Sequence, residues 1–136
     1  MRSDTILIID DEPMIRHLAA RILDRAGYRT VSAANGILGV ALFRRERPAL
    51  VITDLIMPER EGIETIRCIL REGADTPIIA ISGGTLTGTA DFLGMARELG
   101  ASAILRKPFE PADLLMLVER CLEDAPVAAT RARVAD

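Results

Sequence analysis

Apolar residues along this chain follow two rhythms. Short unbroken runs rich in Ile, Val and Leu, such as TILII, ALVIT, PIIAI and ASAIL, alternate with stretches in which apolar residues recur every three to four positions. Unbroken β-branched runs read as buried strands of a parallel sheet, and the longer recurrence reads as amphipathic helices. The first strand runs to the acidic pair Asp10 and Asp11, and a helix beginning near Pro13 carries Ile15, Leu18, Ile22 and Leu23 on one stripe before Gly27 stops it. Strands follow at 28–33, 49–54, 77–81 and 101–105, and helices from the N-cap Asn35 to Arg47 and at 61–72, 89–99 and 111–122. Pro111 suits the first turn of the last helix.

Five strands alternating with five helices predict an α/β fold: a parallel sheet with right-handed crossovers and helices on both faces. The pattern alone does not order the strands. With 136 residues, 49% of them hydrophobic, one compact domain over residues 1–123 is expected. Residues 124–136 lose the apolar period and read as a flexible tail, which leaves no room for an effector domain.

Charge narrows the function classes. The chain has 17 basic and 20 acidic residues, a net charge of -3, and no long block of one sign, so direct nucleic-acid binding is not expected. No stretch reaches the roughly 20 apolar residues of a membrane span, and the N-terminus does not read as a signal peptide, so a cytoplasmic protein is expected. Cys68 and Cys121 lack metal-ligand spacing and read as ordinary thiols.

Candidate chemistry sits at the strand ends. Asp10 and Asp11, Asp54, Ser82 and Lys107 each close an apolar run, and ligands of open α/β sheets collect beyond the carboxyl ends of the strands. Carboxylates brought to one edge repel each other by about 4 kcal/mol per pair at ~4 Å and an effective dielectric near 20. An oxygen-only donor set with no His or Cys favours a hard dication such as Mg2+. Helix capping would account for one of the aspartates but not for two plus Asp54. A carboxylate beside Mg2+, with a lysine and a hydroxyl nearby, suits phosphoryl transfer, which makes Asp54 the expected acceptor.

In order and spacing, ILIIDDEP, SAANG, VITDLIMP, IAISGG and LRKPF resemble the receiver domains of bacterial two-component response regulators, over residues 4 to about 122. The resemblance implies a flavodoxin-like (βα)5 three-layer sandwich with strand order 2-1-3-4-5. It makes Asp54 the phosphoacceptor, Asp11 a direct Mg2+ ligand with Asp10 assisting, and the backbone carbonyl of Ile56 a further ligand. Lys107 then pairs with the phosphoryl group, Ser82 hydrogen-bonds it, and the Lys107–Pro108 bond is expected to be cis. The implied protein is a stand-alone, monomeric phosphorelay switch that catalyses only its own phosphorylation and dephosphorylation. Its phosphodonor is a sensor histidine kinase or phosphotransfer protein, docking near Met14, Ile15, Leu18 and the Pro108–Phe109 loop, and its output goes to a separate partner through residues 89–122.

Ile104 departs from the family, many members of which carry a Tyr or Phe three residues before the lysine. The alternative is a pseudo-receiver that binds partners without phosphorylation; its usual sign, loss of acceptor, metal or lysine positions, is absent. Haloacid-dehalogenase-like enzymes need DxD after the first strand, whereas Asp54 is followed by Leu55 and Ile56. GGTLTGT lacks the lysine of a P-loop, and His17 shares a polar helix side with Arg21 and Asp24.

Overall fold

The computed structural model describes residues 5–55, 61–73, 75–83 and 98–124. Its elements are β1 (Thr5–Ile9), α1 (Pro13–Arg25), β2 (Arg29–Ala33), α2 (Gly36–Glu46), β3 (Leu50–Asp54), α3 (Glu61–Glu72), β4 (Ile78–Ser82), β5 (Ala103–Arg106) and α4 (Pro111–Asp124). The strands form one parallel sheet in the order β2-β1-β3-β4-β5. Of the helix predicted at 89–99, only residues 98–99 are described, and they are helical. Ile56, most of the GGTLTGT segment and the tail beyond residue 124 lie outside the described residues.

Strand alternation divides the core into two layers. Ile6, Ile8, Leu50, Ile52, Ile79, Ile81 and Leu105 pack against Ala19, Ile22 and Leu23 of α1 and Leu114, Val118 and Cys121 of α4. Leu7, Ile9, Val51 and Ile78 face the other way, onto Phe43 of α2 and Ile66 and Ile69 of α3. Every residue of β1, β3 and β4 is buried, which is why those runs contain no polar alternation. Ile104 is partly buried against the second layer. Cys68 and Cys121 are both free thiols.

Local signals set the helix ends. Pro13 opens α1, and Gly27 follows its C-terminus at a φ of 98°, a left-handed conformation that glycine adopts without steric cost. The Asn35 side chain accepts the Leu38 N–H at 2.8 Å and so caps α2. That helix ends at Glu46, one residue before the expected Arg47. Pro48 disfavours a helical conformation at Arg47, which takes a φ of 48° instead. The Lys107–Pro108 bond is cis, as expected. No helix among the described residues is long and apolar enough to cross a membrane.

Gly62, in the first turn of α3, is the glycine that bears on the site. A Cβ there would run into the backbone carbonyls of Asp54 and Leu55, atoms that cannot step aside as a side-chain tip can. Alanine ordinarily stabilises a helix interior by ~0.5–1 kcal/mol relative to glycine, but here the clash outweighs propensity. Gly62→Ala is expected to lower stability by about 1–3 kcal/mol in urea unfolding. Gly83→Ala, where an added Cβ meets nothing within 4 Å, stays close to wild type. A stabilised Gly62→Ala protein would contradict the close approach of α3 to the end of β3.

Candidate functional site

Strand parity places the site. Ile6 and Ile8 of β1, and Leu50 and Ile52 of β3, face α1 and α4; Asp10 and Asp54 continue the same alternation. The register pairs Ile8 with Ile52 and Ile9 with Thr53, so the two aspartates leave adjacent strands at the same level on the same face. Leu105 of β5 also faces that layer, and Lys107 follows two residues later. Backbone bonds continue the ladders past the strand ends: Asp10 N–H to the Ala33 carbonyl at 3.2 Å, Leu55 N–H to Ile81 at 2.9 Å and Lys107 N–H to Ser82 at 2.9 Å.

One ammonium group joins the carboxylates. Lys107 Nζ lies 3.1 Å from Asp54 Oδ2, 3.2 Å from Asp10 Oδ2 and 2.6 Å from Glu12 Oε1. It donates hydrogen bonds to Glu12 and Asp54. Asp10 Oδ2 is within ion-pair range of that ammonium, but this fully buried oxygen has no hydrogen-bond partner among the described residues. Asp10 Oδ1 accepts the Glu12 N–H at 2.9 Å. The side chains of Asp10 and Asp54 are 0% and 5% exposed and that of Lys107 is 13% exposed, whereas Glu12 is 58% exposed and forms the rim.

Burial pushes the Asp10 pKa up to about 6, reinforced by the Asp54 charge and opposed by the Glu12 N–H and the Lys107 ammonium. Burial also works against the Lys107 ammonium, but the Glu12 hydrogen bond and the Asp54 and Asp10 charges outweigh it and hold its pKa above the ordinary lysine value. Lys107 is therefore a fixed positive charge, while Asp10 remains incompletely neutralised.

Asp10, Asp54 and Lys107 are thus brought together as the strand ends suggest. Ser82, the last residue of β4, is buried and tied to Lys107 through its backbone carbonyl. Asp11 is exposed on the bend after β1. Among the described residues, one group of three carboxylates is close enough to share a cation: Asp10, Glu12 and Asp54, with one ligand atom from each mutually within 4.8 Å. Glu12 did not stand out from the sequence because it closes no apolar run; its signal was its place as the third acid of the DDE run. An oxygen-only donor set with an unsatisfied buried carboxylate oxygen fits a hard dication such as Mg2+.

The Asp10 shift fixes a pH dependence for the metal-free protein. Its folded-state pKa of about 6 exceeds the ordinary 3.8, so the folded protein favours the protonated carboxyl. That contribution is fully present below about pH 4 and is lost as pH rises through about 6. Asp10→Asn, neutral at every pH, is expected to be more stable than wild type at pH 7.5 in EDTA by up to about 3 kcal/mol. The difference should shrink towards pH 4 when both proteins are unfolded in urea. Equal stability at pH 7.5 would show that burial does not destabilise the Asp10 charge.

Comparison with known proteins agrees with the geometry. The family model for the response regulator receiver domain matches residues 6–119. A probable transcriptional regulator ycf27 of Porphyridium aerugineum is 39% identical over 114 residues, which cover 84% of this chain and 46% of that protein. Sporulation initiation phosphotransferase F of Bacillus subtilis (strain 168) is 32% identical over 122 residues, covering 90% of this chain and 96% of that protein. The crystal structure of the receiver domain of NtrX from Brucella abortus superposes with a TM-score of 0.80 at 30% identity, covering 88% of this chain and 98% of that one. The chain spans about half the length of the regulator ycf27 relatives and nearly all of the sporulation phosphotransferase. Sheet order, strand-end site and a sequence match across most of the chain converge: this chain belongs to the response regulator receiver domain family.

Proposed function

We propose that Asp54 accepts a phosphoryl group from a phosphohistidine of a sensor kinase or phosphotransfer protein, in a Mg2+-dependent reaction, and that the chain passes the signal or the phosphoryl group to a separate partner protein. The observation that carries this reading is the buried Asp54 carboxylate at the end of β3, with the Lys107 ammonium 3.1 Å away and Asp10 beside it. The match to a phosphotransferase along nearly its whole length supports it.

In the proposed transfer an Asp54 carboxylate oxygen attacks phosphorus, the phosphorus–nitrogen bond of the donor breaks, and its electron pair returns to the imidazole, which takes a proton from solvent. Lys107 supplies fixed positive charge where the transferred oxygens arrive. Asp10, Asp11 and Asp54, with the Ile56 carbonyl, are assigned to hold Mg2+, which when bound offsets the charge of the phosphoryl oxygens. The Asp11 and Ile56 assignments rest on the family resemblance alone. Ser82 is assigned to hydrogen-bond the transferred group. Exposed Met14 and Leu18 on α1, close to the acidic loop, support docking of the donor there.

Incubation with acetyl phosphate and Mg2+, followed by intact mass measurement, should add one phosphoryl group to wild type and none to Asp54→Asn. No gain on wild type would sink the reading, and a gain on Asp54→Asn would move the acceptor elsewhere. Lys107→Ala is expected to keep its circular dichroism spectrum while its phosphorylation slows by about tenfold or more, the loss of a charge-assisted contact to the reacting group. Unfolding of Lys107→Ala would assign the lysine to structure instead.

A further inference from the structure

The Glu12 carboxylate makes the shortest of the three contacts to Lys107, at 2.6 Å. Glu12 is the N-cap residue of α1, but Glu is not among the residues that ordinarily cap a helix, and its side chain makes no capping hydrogen bond, which leaves the carboxylate free for Lys107. Its backbone is fixed on both sides: the N–H donates to Asp10 Oδ1, and the carbonyl accepts from the N–H groups of Ile15 and Arg16. A side chain launched from so fixed a point reaches a lysine 95 positions away in the chain.

We propose that Glu12 is a positioning residue that retains the Lys107 ammonium at the rim of the site and thereby lengthens the life of phosphorylated Asp54; this rests on the phosphoacceptor reading of Asp54. In hydrolysis a water oxygen attacks phosphorus, the bond from phosphorus to the Asp54 oxygen breaks, and its electron pair returns to the carboxylate. The proton lost by the water leaves with inorganic phosphate or solvent. Negative charge develops on Asp54, and Lys107 is the cation placed to stabilise it. An ammonium shared with Glu12 gives less of its charge to that carboxylate. Glu12 thus slows the step without touching the reacting atoms, and its exposure leaves it free to do so without a desolvation cost of its own.

The test follows the decay of the full chain after phosphorylation with acetyl phosphate and Mg2+ and removal of the donor, read by intact mass. Glu12→Gln is expected to shorten the half-life by about fivefold, the scale of releasing one partly exposed ion pair. Glu12→Asp keeps the charge but not the reach and should decay like Glu12→Gln. An unchanged or longer half-life in Glu12→Gln, or a Glu12→Asp protein matching wild type, would overturn the proposal. The Lys107 ammonium resonance in nitrogen-15 NMR gives a second readout that does not need phosphorylation: protected from exchange in wild type and lost in both variants. If wild type takes no phosphoryl group, the acceptor reading fails by itself. A protected resonance that survives in Glu12→Gln would overturn the retention of Lys107 by Glu12.

Discussion

A single ammonium group allows the carboxyl edge of this sheet to exist as it does. Parallel register brings Asp10 and Asp54 to the same level on neighbouring strands, where two buried negative charges repel by several kcal/mol. Lys107 lies within 3.2 Å of both and offsets that repulsion, but it does not offset the cost of burial, which, reinforced by the Asp54 charge, still raises the Asp10 pKa to about 6. The edge therefore retains capacity for a further positive charge. A protein selected only for stability would gain by replacing one of the aspartates; this one keeps both, although nothing among the described residues hydrogen-bonds Asp10 Oδ2.

The same sheet explains how residues distant in sequence become neighbours. β1 and β3 are adjacent although a strand and two helices separate them in the chain, and β5 reaches the edge beyond β4. β1, β3 and β4 each carry an apolar run to the end of the buried layer and close on a polar residue, Asp10, Asp54 and Ser82. Asp10, Asp54 and Lys107 share the parity of the core residues that face α1 and α4, so the site grows directly out of that layer. The approach of Gly62 to the Asp54 and Leu55 carbonyls brings α3 against the end of β3.

Much of this was legible in the sequence because fully buried strands leave an unbroken β-branched signature. Nine elements lie close to their expected bounds, and Asp10, Asp54 and Lys107 were foreseen as strand-end residues. Strand order was not legible from the pattern: the apolar runs are nearly interchangeable, and order 2-1-3-4-5 came through the family resemblance. The early stop of α2 at Glu46 follows from Pro48 acting on its predecessor. Glu12 carried no role in the sequence because it closes no apolar run; its partner, Lys107, is 95 positions away, a contact that only the folded sheet creates. Neighbouring Asp10 and Asp11 looked alike in sequence, yet alternation buries the first and exposes the second.

The most direct measurement of the central claim is where the phosphoryl group resides. Treating the phosphorylated chain with borohydride reduces an aspartyl phosphate to homoserine, and peptide mapping then reads the converted position. The account predicts homoserine at residue 54 alone. Conversion at residue 10, 11 or 12, or none in a chain that has gained a phosphoryl group, would contradict it.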